Sequence, residues 1–233
     1  LYGGKPELKG LKRLEEGRDM DEWYLREWAG VDPANGSPLW YTTDENGKRT
    51  TTDSYNKADR VYCGSAAPKF TGGWMNSFSY KGFTLTANFD FVYGNLLYNQ
   101  SRELLDSDGA YADYNSMKLK SGWKRWEKEG DIATHPKAIN GGNKNSNKSS
   151  SRYLEKGNYF SLRNLSLGYS IPEKLCGKLG LQRVNVSCSA DNLFTLTPFS
   201  GVSPQLSDSS TDGYAGTIYP LSRRIVFGLN VSF

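Results

Sequence analysis

Sulfur- and imidazole-bearing side chains are scarce: three cysteines, three methionines and one histidine in 233 residues. Three cysteines cannot build a disulfide scaffold, and a single histidine leaves no His-rich metal cluster. No apolar run approaches the ~18 residues of a membrane helix, and mean hydropathy is −0.64, which excludes a helical membrane protein. No charged-then-apolar signal segment opens the chain, which starts at Leu1 and reads as a processed or excised piece. Charge of one sign is also lacking. The 29 Lys+Arg against 25 Asp+Glu give only +4, too mild a surplus to argue for nucleic acid. What is abundant is glycine (25 residues) and aromatics (6 Trp, 15 Tyr, 10 Phe). That mix, with many Ser and Asn, favours strands and loops over helices.

Alternation with period two places successive side chains on opposite faces of a strand. It is clearest at the end, where Ile225, Phe227, Leu229, Val231 and Phe233 interleave with Val226, Gly228, Asn230 and Ser232. Phe83, Leu85, Ala87, Phe89, Phe91 and Tyr93 alternate with Thr84, Thr86, Asn88 and Asp90. Val184, Val186, Cys188 and Ala190 alternate with Arg183, Asn185, Ser187, Ser189 and Asp191. Trp74, Phe78 and Tyr80 stand opposite Thr71, Gly73, Ser77 and Ser79. Leu165, Leu167 and Tyr169 continue the pattern, but Phe160 and Leu162 have the opposite phase, so a bulge is predicted near Asn164.

These runs of about ten residues exceed the mode of ~5–6 in soluble proteins and approach the ~9–11 that a tilted strand needs to cross a bilayer. The connections sort by length. Lys81-Gly82 is a tight hairpin and 171–182, with Pro172, a modest link, whereas about 95–150 and 195–222 are long excursions. Short links at one end and long loops at the other are the habit of outer-membrane barrels. With Phe233 on the periplasmic side, every short link is periplasmic and every long loop external.

In hydrocarbon every backbone N–H and C=O needs a partner, so strands cross only in a closed barrel. The predicted fold class is all-β, an antiparallel up-and-down transmembrane β-barrel segment with long extracellular loops and one short helix. Phe83, Leu85, Phe89, Phe91 and Ile225 are predicted to face lipid. The aromatics Trp74, Tyr80, Tyr93, Tyr169 and Phe233 would lie at headgroup levels. A soluble sheet with one face on a core shows the same alternation, so a secreted β-sandwich glycan-binding module is the alternative.

The loops have their own character. Residues 141–151 lack any apolar side chain and read as a solvated loop. Residues 115–129 form the predicted helix, with Leu119, Trp123 and Trp126 as a buried stripe. Lys118, Lys120, Lys124, Arg125 and Lys128 read as its solvated face, with anion binding the other reading. The first 20 residues give no clear signal. Residues 23–31 are predicted as a strand, and Pro33-Ala34-Asn35-Gly36 as a turn into Leu39-Trp40-Tyr41.

Few groups carry chemistry. Asp106-Ser107-Asp108-Gly109 opens like a calcium loop, but Met117 holds the twelfth position where Glu is needed, so a turn is predicted. His135 has no supporting nucleophile motif, and no carboxylate pair stands out for a glycoside hydrolase. No enzyme activity, catalytic residue, metal or cofactor is expected. The three cysteines read as free, with Cys188 a small hydrophobe on the apolar face. Flat rings match sugar faces and amides pair with hydroxyls, so Trp40, Tyr41, Tyr111, Tyr114, Tyr214 and Tyr219 are candidate substrate contacts by loop placement alone.

Several motifs in one order carry a family likeness. Ala29-Gly30-Val31-Asp32-Pro33-Ala34-Asn35-Gly36 precedes Pro38-Leu39-Trp40-Tyr41, and Pro68-Lys69-Phe70-Thr71-Gly72-Gly73-Trp74 precedes the hairpin Tyr80-Lys81-Gly82-Phe83. Trp126-Glu127-Lys128-Glu129-Gly130 with Pro136, then Gly157-Asn158-Tyr159-Phe160-Ser161-Leu162-Arg163-Asn164-Leu165, Asp191-Asn192-Leu193-Phe194, Tyr219-Pro220 and the terminal strand complete the series. Across roughly residues 25–233 the chain resembles the C-terminal part of SusC/RagA-type TonB-dependent outer-membrane transporters of Bacteroidetes.

The resemblance implies a partial wall of a 22-stranded barrel in the outer membrane, with plug, TonB box and most strands upstream of Leu1. It implies import of oligosaccharides or peptides, energised by TonB through the N-terminal region, alongside a SusD-like surface lipoprotein and outer-membrane lipid, with no nucleic acid. Phe227, Leu229, Val231 and Phe233 resemble the C-terminal signal read by barrel-assembly machinery. Deleting Phe233 from the full-length protein is expected to lower the folded amount in the outer membrane. Unchanged surface levels would remove that role.

Overall fold

The computed structural model describes residues 4–206, 213–216 and 219–233. The chain opens with short strands, β1 (Glu7–Lys9), β2 (Lys12–Leu14), β3 (Glu22–Arg26), β4 (Trp28–Val31), β5 (Pro38–Thr43), β6 (Arg49–Thr52) and β7 (Arg60–Ser65). Two long strands follow, β8 (Phe70–Tyr80) and β9 (Phe83–Tyr93). Next come β10 (Leu96–Asn99), helix α1 (Ser101–Leu105), a long irregular stretch and β11 (Leu154–Lys156). Then β12 (Tyr159–Ser170), helix α2 (Glu173–Lys178), β13 (Arg183–Leu196), β14 (Tyr214–Ala215) and β15 (Arg224–Ser232) complete the described elements. The chain divides into two compact units, one of residues 1–67, 95–156 and 200–218, the other of Pro68–Gly94, Gly157–Phe199 and Tyr219–Phe233.

The second unit is one sheet of five long strands in the order β15-β13-β12-β9-β8, every neighbour antiparallel. The predicted hairpin is there. Lys81 (φ 46°) and Gly82 (φ 86°) both take left-handed backbone, the twist that a two-residue turn needs between right-twisted strands. The predicted bulge is there as well, with the register shifting between Leu162 and Asn164 against both neighbours of β12. Against β9, Arg163 is the additional residue, while on β13 Asn192 and Leu193 together stand opposite it. It restores the phase, so that Phe160 and Leu162 share a face with Leu165, Leu167 and Tyr169.

The first unit holds three small sheets, ordered β1-β2-β3-β7, β4-β5-β6 and β11-β10-β14. All pairs are antiparallel except β10 with β14. Its core is aromatic. Trp23 and Leu25 alternate inward along β3 to meet Ala66, Tyr98 and Tyr153, and the Trp23 indole donates to Leu96 O at 3.0 Å. Trp40 packs edge-on between Trp28 and Tyr55, with centroids at 5.7 and 5.5 Å.

Two expectations are corrected. Residues 115–129 are irregular, and the short helices lie instead at α1 and α2. Gly122 (φ 83°) breaks any helix there, and the backbone is claimed by distant partners. Met117 N donates to Leu105 O and Trp126 N to His135 O, while the Trp126 indole donates to Pro33 O. Residues 141–151 are not a solvated loop throughout, because Asn143, Ser146 and Ser150 are buried. The polar side chains of Asn143 and Ser146 serve as internal donors. The Asn143 amide reaches Gly36 O and Lys137 O, and the Ser146 hydroxyl reaches Asp108. Of the expected loop 195–222, residues 207–212 and 217–218 lie outside the described residues.

A Cβ on Gly82 would stand 2.7 Å from Ser170 O, on backbone that L residues enter at a cost. Gly82→Ala is expected to destabilise the sheet by at least ~1–2 kcal/mol, read as a lower urea midpoint of the full-length protein in liposomes. Lys81→Asn, which tolerates the same conformation, should leave the midpoint unchanged or raise it.

Candidate functional site

The register of the five-stranded sheet assembles one apolar face. Tyr80, Phe83, Tyr169, Val186 and Leu229 form one row and Phe78, Leu85, Leu167, Cys188 and Phe227 the next. Trp74, Phe89, Leu162 and Phe194, then Phe91, Phe160 and Leu196, continue it, with Phe70 and Tyr93 at the far end. Between the rows of Phe78 and Trp74 runs that of Asn76, Ala87, Leu165, Ala190 and Ile225, in which Asn76 is the one polar side chain. The rings lean on one another along the rows, Phe83 on Tyr169 at 4.3 Å and Phe89 on Phe160 at 5.3 Å. Phe83, Leu85, Ile225, Leu229 and Val231 are exposed, Phe227 and Phe233 most of all at 79% and 84%, while Phe89 and Phe91 are half-buried among their neighbours. A β-sandwich would have buried this face. An 11-residue strand such as β8 rises ~33 Å, or about 25 Å once tilted by ~40°.

The opposite face is small and polar, apart from Met75, Val92 and Val226. Ser77 meets Thr86 and Ser79 meets Thr84. Charges there come in pairs. Asp90 accepts from Tyr159 at 3.1 Å and lies 3.2 Å from Arg163 Nε. Asp191 accepts from Asn164 at 2.7 Å and from the Arg224 guanidinium at 2.7 and 2.9 Å. A bilayer-crossing strand tolerates such groups only where they face away from lipid.

The loop unit is organised around buried charge. Asp106 and Asp108 are fully buried. Asp108 takes Arg125 at 2.6 Å, Arg152 at 2.5 Å and the Ser146 hydroxyl at 2.7 Å. Asp106 takes Arg102 at 2.9 Å, Arg152 at 3.3 Å and His135 Nε2 at 3.0 Å. Burial by itself raises the Asp106 pKa. The His135 hydrogen bond, then the charges of Arg152, His135 and Arg102, outweigh it and hold the carboxyl below its ordinary value. The calcium-like start is therefore a turn whose carboxylates belong to arginines, and no group of His, Cys, Asp and Glu among the described residues could hold a metal. His135 is enclosed between Asp106, Thr134 and Trp123.

One cleft of about 600 Å³ opens in this unit, lined by Glu27, Tyr41, Arg49, Asp59, Tyr62 and Cys63 among others. The Arg49 guanidinium lies 3.7 Å over the Tyr41 ring and pairs with Glu27 at 2.9 Å. Burial pushes the Cys63 thiol up to about 11, which leaves it protonated and inert.

The six candidate contacts do not converge. Tyr41 alone lines this cleft, and Trp40 is fully enclosed behind it. Tyr214 packs into the core against Trp23 at 5.2 Å. Tyr111 and Tyr114 form an exposed pair, rings 5.5 Å apart. Tyr219 stands 90% exposed in the other unit. Sequence reasoning missed Arg102 and Arg152, whose only signal was the Asp-Ser-Asp-Gly turn they neutralise, and placed Arg125 on a solvated helix face, whereas it pairs with Asp108.

No family model matches the chain. Its homologues are TonB-dependent receptors. One from Formosa agariphila is 32% identical over 181 residues, covering 75% of this chain and 17% of its own length. A second from the same organism is 29% identical over 246 residues, covering 94% and 23%. Among solved structures, the RagAB peptide importer in its open-open state matches with TM-score 0.80 and 25% identity over 100% of this chain and 24% of that one. The closed-closed state gives 0.78 at 25% identity, covering 100% and 25%. The chain thus spans about a sixth to a quarter of the length of these relatives. The likeness to SusC/RagA-type TonB-dependent transporters holds over most of the chain, and with them it is a protein of the bacterial outer membrane. No helix among the described residues is long and apolar enough to cross a membrane.

Replacing one partner of a buried ion network leaves the others uncompensated. Arg152→Met, which strands Asp106 and Asp108, is expected to destabilise the loop unit by about 3–5 kcal/mol. Limited proteolysis of the full-length protein should show faster cleavage within 101–156, with cleavage of the long strands unchanged.

Proposed function

We propose that the chain supplies part of the barrel wall and the outer loops of a TonB-dependent active transporter. The observation that carries this is the face running unbroken over five long strands, apolar and exposed on one side and polar on the other. In a closed barrel Phe83, Leu85, Phe89, Phe91 and Ile225 contact lipid, and the charge pairs of Asp90 and Asp191 look into the lumen. The strand ends at Phe227, Leu229, Val231 and Phe233 serve as the assembly signal. The cargo is an oligosaccharide or a peptide, and the likeness to the RagAB peptide importer favours a peptide. A SusD-like surface lipoprotein is the expected partner at the loops, and TonB the source of energy.

Uptake of labelled peptides and labelled oligosaccharides by cells with and without the full-length gene, each with and without TonB, tests the reading. One class should enter only when both are present. Entry of both classes independent of the gene or of TonB defeats the transporter reading. A chain that is soluble, monomeric and cooperatively folded without detergent defeats the wall.

A further inference from the structure

At the end of the sheet remote from the Lys81-Gly82 turn, the apolar face is hollowed. Phe70, Phe91, Tyr93, Phe160, Leu196 and Pro198 line an open groove of about 590 Å³, apolar over nearly all of its surface. A glycine creates it. A Cβ on Gly72 would stand 2.5 Å from the Phe91 ring, so that ring lies down across the position where a side chain would rise. Phe91 leans on Phe70 at 5.4 Å, and Phe160 with its cross-strand partner Leu196 makes the opposite side. The rim is fixed by polar bonds. Thr197 Oγ1 donates to Asn158 O at 2.8 Å, and Asn158 Oδ1 accepts from Gly94 N at 2.7 Å. Phe70, Tyr93 and Leu196 are each about 60% exposed. Lys69, packed beside Gly94, is exposed and makes no ion pair among the described residues.

We propose that this groove holds one acyl chain of lipid A, the phosphorylated glycolipid of the outer leaflet, with Lys69 meeting a lipid A phosphate. The proposal rests on the wall reading above, which turns this face to lipid and its long-loop end to the outside. The groove continues that face without a polar break, so the occupant comes from the membrane. A peptide or sugar seated there would leave its own polar groups unpaired, whereas an acyl chain loses nothing and fills the hollow with close contacts. The cation at the rim separates an anionic lipid from a zwitterionic one.

The test is native mass spectrometry of the full-length protein released from mild detergent, titrated with lipid A, dephosphorylated lipid A or phosphatidylethanolamine. Wild type should retain one lipid A, Leu196→Trp, which fills the groove, should lower that occupancy at least tenfold, and Lys69→Gln should erase the preference for the phosphorylated form. Equal lipid A occupancy in wild type and Leu196→Trp, or phosphatidylethanolamine held as well as lipid A, overturns the groove. Lys69→Gln lies outside the strands and reports even where the tryptophan variant misfolds, an unchanged preference counting against the proposal. Heat-modifiable migration is read in parallel. A wild type lacking that barrel signature defeats the wall reading, while a folded barrel without retained lipid A defeats this inference alone.

Discussion

An amide or carbonyl without a partner in hydrocarbon destabilises a chain by several kcal/mol, and the long strands are arranged around that constraint. β9 and β12 each pair on both sides along nearly their whole length, and β13 does so from Asn185 to Asp191. Continuous pairing then demands that every departure be absorbed locally. The two-residue turn at Lys81-Gly82 reverses the chain without losing a rung, and the bulge at Arg163 takes up one residue so that the phase on either side agrees. Neither device is decorative, because a slip by one residue would exchange the apolar face for the polar one over the whole strand.

The loop unit answers a different problem. Its strands are short, its one cysteine, Cys63, is free, and much of it is irregular. It is held by an aromatic core and by carboxylates that arginines from distant segments share. Buried ion pairs contribute little net stability once desolvation is counted. They are exacting about geometry, however, because Arg102, Arg125 and Arg152 must all reach the Asp106–Asp108 turn. The network therefore sets which conformation the long excursion takes more than how stable it is.

That division explains what could be read from the residues. Strand length, the hairpin at Lys81-Gly82 and the bulge near Asn164 follow from local rules of alternation and turn chemistry. Each was legible because the pattern repeats within one strand. The irregular segment 115–129 was misread as a helix because Leu119, Trp123 and Trp126 have helical spacing, while the forces that fix them come from Leu105, Pro33 and His135. Asn143 and Ser146 likewise looked solvated because their acceptors, Gly36, Lys137 and Asp108, are remote in sequence. The loop aromatics were placed by position alone, and nothing local told Tyr41, in a cleft, from Trp40 behind it.

The sheet carries one requirement that its own five strands do not meet. β8 and β15 stand at its edges, and among the described residues each presents a row of backbone groups without a strand beside it. In water such edges and the broad apolar face would invite association. In a bilayer they are untenable until further strands close the ring. Roughly eight strands already give a barrel whose interior side chains fill it, so the lumen proposed above for Asp90, Arg163, Asp191 and Arg224 calls for many more than five. On the proposed transporter reading, alternation, pairing and the polar inner face make this sheet one sector of a larger closed wall.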